Sequence, residues 1–272
     1  MEFNNKLVFI SGGSRGIGRA IALKLAAHGA SIAIAAKSVT EDSRLGGTIY
    51  SVAQEIEAAG GKALPLHCDI RFEDQVEAAV NKAADTFGGI DIVINNASAI
   101  NLSTTENLSI KNFDLMHDIN IRGTFVVGKY CIPYLKTSDC AHILTLSPPL
   151  NMDKVWLGKH AAYTLAKYGM TMLTLGWAEE LKDFNVAANC LWPQTTIDTA
   201  AVRNLLGGEQ LANRSRKPEI IADAAFAILS KKDKEYNGQC LIDEQVLTAE
   251  GITDFEPYAV VPGGPLFNDL FL

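Results

Sequence analysis

The feature that most limits the fold is the alternation of short apolar runs with longer segments of helical period. Runs at 7–10, 31–36, 63–66, 90–95, 142–147, 186–191 and 239–242 predict strands, and periodic segments at 16–28, 48–59, 73–87, 112–136, 161–184 and 218–230 predict helices. Strands that are apolar at nearly every position, such as Ile32-Ala33-Ile34-Ala35, suit a parallel sheet covered on both faces. The expected class is therefore α/β, a doubly wound parallel sheet of about seven strands with helices on both faces. With 272 residues and 48% hydrophobic content, the chain can bury a sizeable core, and one domain is expected over 1–272. The stretch from 243 onward holds Pro257, Pro262, Pro265 and Gly263-Gly264, which predicts an extended tail. Its Phe255, Tyr258, Val260, Val261, Leu266 and Phe267 would be costly in water, so it packs either on the domain or on another subunit.

A formal charge of −7 argues against a general polyanion binder, so neither nucleic acid nor an anionic membrane surface is an expected partner. Cys68, Cys131, Cys140, Cys190 and Cys240 form no C-x-x-C pair and read as reduced, small packing residues. His28, His67, His117, His142 and His160 lack metal-ligand spacing, so no metal is expected. Glu2 and a four-residue apolar run at 7–10 predict neither a signal peptide nor a membrane span, and the last residues, Asp-Leu-Phe-Leu, are not a peroxisomal address. A soluble cytoplasmic protein is the expectation.

Between the first predicted strand and helix lies Ser11-Gly12-Gly13-Ser14-Arg15-Gly16-Ile17-Gly18. Glycines at such a turn let the backbone approach a pyrophosphate, whose charge is met by amide N–H groups and the helix N-terminus. In a first βαβ unit this predicts a Rossmann-type dinucleotide site built from Ser11, Gly12, Ser14, Arg15, Gly16, Ile17 and Gly18. A carboxylate for a free ribose 2′-OH belongs about 20 residues on, at the end of the second strand. There the chain reads Ala35-Ala36-Lys37-Ser38, with no acid, and Arg15 and Lys37 are two cations able to converge on one corner. A 2′-phosphate is the better-matched ligand, so NADP(H) is expected over NAD(H). The plainer reading of Lys37 is a solvated surface lysine.

Tyr163 and Lys167 stand four apart on the predicted 161–184 helix and leave the same face. Hydride addition to a carbonyl leaves an alkoxide that needs a proton, and an ordinary phenol, with a pKa of about 10, is poorly matched to base work at neutral pH. A neighbouring ammonium favours the tyrosinate, and Lys167 can supply one. Ser147 ends the fifth predicted strand, at the carboxyl edge where open α/β sheets place ligand-facing residues, and its hydroxyl is placed to polarise the substrate oxygen.

Gly12-x-x-x-Gly16-x-Gly18, Asn95-Asn96-Ala97, Asn120, Ser147, Tyr163 and Lys167 occur in the order and nearly the spacings of the short-chain dehydrogenases/reductases, and over 7–242 the sequence resembles that family. The resemblance implies hydride transfer between a nicotinamide and a carbonyl or alcohol substrate, with Tyr163 as acid/base, Lys167 also on the nicotinamide ribose, and Asn120 holding a water in a relay toward the lysine. It implies adenine contacts from Asp69 and Ile70, cofactor contacts from Asn96 and Ala97 (with Ser98 where relatives have glycine), and nicotinamide contacts from Pro193 and Thr196. It also implies a homodimer or homotetramer formed through the helices that bear Asn120 and Tyr163.

The gap from Ser147 to Tyr163 is longer than in most relatives, and the 148–156 stretch is expected to line one wall of a pocket for a lipophilic carbonyl, with Trp156 closing it. Ser147-Pro148-Pro149-Leu150-Asn151 and Gly46-Gly47-Thr48-Ile49-Tyr50 resemble a branch named for hydroxysteroids, whose members can carry a sterol-carrier lipid-binding domain after the reductase domain. No such domain is expected in these residues. Two alternatives stand beside the enzyme: a catalytically silent NADP(H)-binding sensor, and a lipid-binding module that uses the same pocket.

Overall fold

The computed structural model describes residues 2–42, 44–231 and 236–272. Its elements run β1 (Leu7–Ser11), α1 (Gly16–Ala27), β2 (Ser31–Ala36), α2 (Ile49–Ala58), β3 (Lys62–His67), α3 (Glu73–Phe87), β4 (Ile92–Asn95), α4 (Ile110–His117) and α5 (Thr124–Leu135). They continue with β5 (His142–Leu146), α6 (Lys154–Lys159), α7 (Ala161–Glu180), β6 (Ala187–Trp192), α8 (Gly208–Ala212), α9 (Glu219–Leu229), β7 (Cys240–Ile242) and α10 (Asp243–Ala249). Among the described residues the strands form one seven-stranded sheet in the order β3-β2-β1-β4-β5-β6-β7. Every pairing is parallel. The predicted alternation is thus the observed one.

Strand order explains the layers. β1, β2, β4, β5 and β6 are buried along their whole length because helices cover both sheet faces. On one face Ile21 and Leu25 of α1, Val52 and Ile56 of α2, Ile220 and Ile221 of α9 and Val246 of α10 share a core. On the other face Val76 and Val80 of α3, Val126 and Cys131 of α5, Trp177 of α7 and Leu181 just after it form a second. Each such side chain stabilises the fold by about 1.5–3 kcal/mol through burial. After β3 the chain crosses to the far side of β1 and enters β4, so a crevice opens at the carboxyl ends of β1 and β4, the usual ligand position in such sheets.

Three expectations need correction. The predicted 112–136 helix is broken, because a π-helical turn, Asp118–Gly123, separates α4 from α5 and carries Asn120. Such turns insert a residue into a helix and often mark functional sites. Within 148–156 the chain forms the start of α6, capped by the Asp153 side chain, which accepts from Val155 N at 2.8 Å. The tail is not simply extended: Asp243 and Glu244 favour the first turn of α10, Val246 and Leu247 bury its inner face, and a 3-10 turn follows at Glu256–Tyr258. It packs on its own chain, through bridges between Arg216 and Ala259 and between Thr195 and Asn268. Among the described residues no helix is long and apolar enough to cross a membrane.

Candidate active site

The glycine loop is held by the strand beside it. Asn96 Nδ2 donates to Gly12 O at 2.8 Å and to Ser11 O at 3.2 Å, and Ser11 Oγ accepts from the amides of Asn96 and Ala97. Gly12 and Gly16 adopt positive φ of 70° and 53°. A Cβ on Gly18 would sit 2.5 Å from both Asn96 Nδ2 and Gly12 O. Ser11 and Gly18 therefore build the loop from behind, and Gly18→Ala is expected to destabilise by about 1–3 kcal/mol through overpacking, read by thermal unfolding. No acidic side chain occupies the first turn of α1, and its N-cap, Arg15, makes no side-chain cap, so the amides there stay open to an anion.

In front of the loop lies a cleft of about 410 Å³ whose lining includes Gly12, Ser14, Arg15, Gly16, Ile17, Lys37, Asp69, Ile70, Asn96 and Ala97, together with Leu45, Ile119 and Leu205, which the sequence did not single out. Arg15 donates to Ser38 Oγ, and burial lowers its pKa against the opposing field of Asp42. Lys37 is exposed beside it. Burial works against the charge of Asp69, but hydrogen bonds and the field of Arg71, 2.6 Å away, hold its carboxyl below the usual range. The loop after β2 closes over this corner at Gly47, where φ is 64° and a Cβ would meet Ser14 O at 2.3 Å.

A second cavity, of about 320 Å³, shares Ile17, Asn96, Ser98, Thr199 and Ala201 with the first, so the two are continuous. Tyr163, Lys167, Pro193 and Thr196 line it together with Ile100, Leu102, Trp192, Leu211, Phe267, Asp269 and Leu270. Tyr163 and Lys167 leave one face of α7 and are only 4% and 3% exposed. Lys167 Nζ donates to Leu146 O at 2.8 Å and lies 5.1 Å from the centre of the Trp192 ring. Burial lowers its pKa to about 8, opposed by Asp269.

Burial, with Asp269 adding, raises the pKa of Tyr163. Burial is the larger cause of that rise, and the Lys167 ammonium, on the same face of α7, donates to Leu146 O.

Asn120 and Ser147 are both buried. The Asn120 amide clamps the segment after β4, donating to Ala99 O at 3.0 Å and accepting from Ala99 N at 2.8 Å. Ser147 does not line the cavity: Leu146 does, and Ser147 Oγ is buried without a hydrogen-bond partner. The 148–156 stretch also stays behind the wall. Trp156 packs on Phe271, with ring centres 5.6 Å apart, and Asn151 Nδ2 donates to Phe271 O. The 267–270 segment takes the place expected for that stretch, and its Phe267, Asp269 and Leu270 are, with Ile100, Leu102, Leu206 and Leu211, among the lining residues missed. No motif marks Phe267, Asp269 or Leu270; their one sequence signal was a tail too apolar to be left in water.

The sequence profile of the short chain dehydrogenases matches residues 6–209. The chain belongs to that family. It is 56% identical over 265 residues to hydroxysteroid dehydrogenase-like protein 2 of Xenopus laevis, covering 97% of this chain and 63% of that one. It therefore spans less than two thirds of this curated relative. A putative dehydrogenase from Xanthomonas campestris superposes with a TM-score of 0.96 at 51% identity, covering 100% of this chain and 99% of that one. A short chain dehydrogenase from Burkholderia cenocepacia, solved in complex with NADP, superposes with a TM-score of 0.76 at 26% identity, covering 89% and 97%. The residues present fit a dinucleotide, because Gly12, Ser14, Gly16 and Ile17 line an open cleft at the first turn of α1, whose amides no side chain caps.

Proposed function

We infer that the protein is an NADP(H)-dependent oxidoreductase acting on the carbonyl or alcohol group of a lipophilic small molecule. The observation that supports this reading is the continuity of the two cavities, the first lined by the glycine loop and the second by Tyr163 and Lys167. When bound, the nicotinamide supplies or accepts the hydride. Gly12, Ser14, Gly16 and Ile17 would hold the pyrophosphate, Asp69 and Ile70 the adenine end, and Lys167, Pro193 and Thr196 the nicotinamide ribose and ring. Tyr163 gives a proton to the substrate oxygen in reduction and takes one in oxidation, and Lys167 sets the charge beside it. The apolar wall of Ile100, Leu102, Leu211, Phe267 and Leu270 supports a lipophilic substrate, and its closure around Tyr163 excludes water from the proton transfer.

Preference for NADP(H) is supported by Arg15 and Lys37 lining one corner with no acid at the end of β2, and by the NADP complex of the Burkholderia cenocepacia relative. Exposed Phe125 on α5 and Leu165 and Met172 on α7 support a homodimer or homotetramer built on those helices. The test is an NADPH-oxidation and NADP-reduction screen over ketones, aldehydes, sterols and 3-oxoacyl thioesters. Turnover by wild type is the expected result, and none with any class favours a silent binder. In fluorescence titrations Lys37→Ala is expected to weaken NADPH about tenfold, one charge-assisted hydrogen bond, and to leave NADH nearly unchanged. Equal losses for both would remove the argument for NADP(H).

A further inference from the structure

We propose that Asp269, near the end of the chain, is a catalytic residue that donates a hydrogen bond to the substrate oxygen, the task expected of Ser147. The inference rests on the oxidoreductase reading and specifies who holds the substrate in it.

Strand β5 offers the cavity no hydroxyl. Leu146 reaches the lining, Ser147 Oγ is buried, and Pro148 and Pro149 follow. Of the other hydroxyls on the lining, Thr196 is bonded to Ser215 Oγ at 2.8 Å, Thr199 Oγ1 accepts from Val202 N at 3.4 Å, and Ser98 stands where the two cavities meet, on the cofactor side. The titratable side chains on the cavity wall are Tyr163, Lys167 and Asp269. Asp269 is fixed by its backbone, whose N–H donates to Gln194 O at 3.1 Å, and by its Oδ1, which accepts from Leu270 N at 2.7 Å. Among the described residues its Oδ2 takes no hydrogen bond, which leaves one carboxyl oxygen for a ligand.

Its neighbours decide its protonation. Lys167 and Tyr163 face it from α7 and Asp243 from the start of α10, while Arg216 and Glu244, paired with each other, stand beyond Asp243. Burial raises the Asp269 pKa to about 7, against hydrogen bonding from Leu270 N and the field of Lys167 and with the field of Asp243. A neutral carboxylic acid in an apolar pocket is a hydrogen-bond donor of the kind that stabilises a developing oxyanion.

In reduction, the hydride adds to the carbonyl carbon, the C=O π bond breaks toward oxygen, and the Tyr163 O–H proton passes to that oxygen. Asp269 keeps its own proton and holds the oxygen throughout. As pH rises through about 7 the donor is lost, so reduction slows on the alkaline side.

The experiment compares Asp269→Ala, Asp269→Asn, Ser147→Ala and Tyr163→Phe with the carbonyl of highest turnover in the screen, with NADPH binding measured alongside. Asp269→Ala is expected to lose about 100-fold in kcat with NADPH binding retained, the size of one oxyanion donor. Asp269→Asn, whose amide still donates, is expected to recover part of that loss and to lose the alkaline limb near pH 7. Ser147→Ala is expected to stay near wild type. A large loss in Ser147→Ala with Asp269→Ala unaffected overturns the proposal while the oxidoreductase reading stands; turnover surviving in Tyr163→Phe overturns that reading itself. Independently of turnover, carboxyl carbon NMR of aspartate-labelled protein should show a resonance titrating near 7 that is absent from Asp269→Asn. Titration in the ordinary carboxylate range, about 4, would mean an ionised group unable to donate, and would overturn the assignment.

Discussion

Tyr163→Phe is expected to lower kcat/KM by about 10²–10⁴-fold, the usual worth of a positioned acid/base, while the protein folds and binds NADPH as before. The separation of effects follows from the site. Among the described residues the Tyr163 hydroxyl makes no hydrogen bond, so phenylalanine removes the proton donor without orphaning a partner, and the ring keeps its place beside Phe271 at a centre distance of 6.1 Å. Steady-state kinetics with thermal unfolding checks both halves. Slow turnover left unchanged by the substitution would point to a sensor or a lipid-binding module in place of an enzyme.

Phe271→Ala is expected to produce the largest loss of stability among single changes in the tail, about 3–5 kcal/mol for a large buried aromatic. Phe271 is 1% exposed, enclosed by Trp156, Tyr163, Tyr168 and Trp192 at ring-centre distances of 5.3 to 6.1 Å. Its φ of 75° is uncommon for a residue with a side chain and is held by packing on every side. Calorimetry should show the unfolding temperature falling by roughly 10 °C, from the shift expected per kcal/mol in a chain of this size. The affinity for an apolar substrate should fall with it, because the ring backs the wall that Phe267 and Leu270 present. A variant melting with wild type would show that the aromatic cluster does not anchor the tail.

Sequence pattern reached some parts of this molecule and not others, for physical reasons. The sheet was legible because strands buried on both faces must be apolar at nearly every position, and because glycine positions such as Gly12 and Gly16 carry a backbone requirement visible in one residue. Tyr163 and Lys167 were legible because helical spacing fixes a shared face. Ser147 was harder, since one residue of register at a strand end decides whether a side chain meets the cavity or the interior. Asn120 sits in a π-helical turn that helical periodicity does not announce. Asp269 was out of reach, because its role depends on where the tail comes to rest 102 residues after Lys167, counting from 167 to 269. Such a contact is made by tertiary packing, for which a local pattern has no period.

The wall around Tyr163 has a consequence for synthesis. The half of the sheet from β1 to β4 needs only the first 95 residues, whereas Phe267, Asp269, Leu270 and Phe271 emerge after the seven described strands have been made. During vectorial synthesis the chain can form its parallel sheet and its glycine turn well before it can complete the second cavity. The wall of the second cavity is then completed late, by the docking of residues 267–271 on elements made before them.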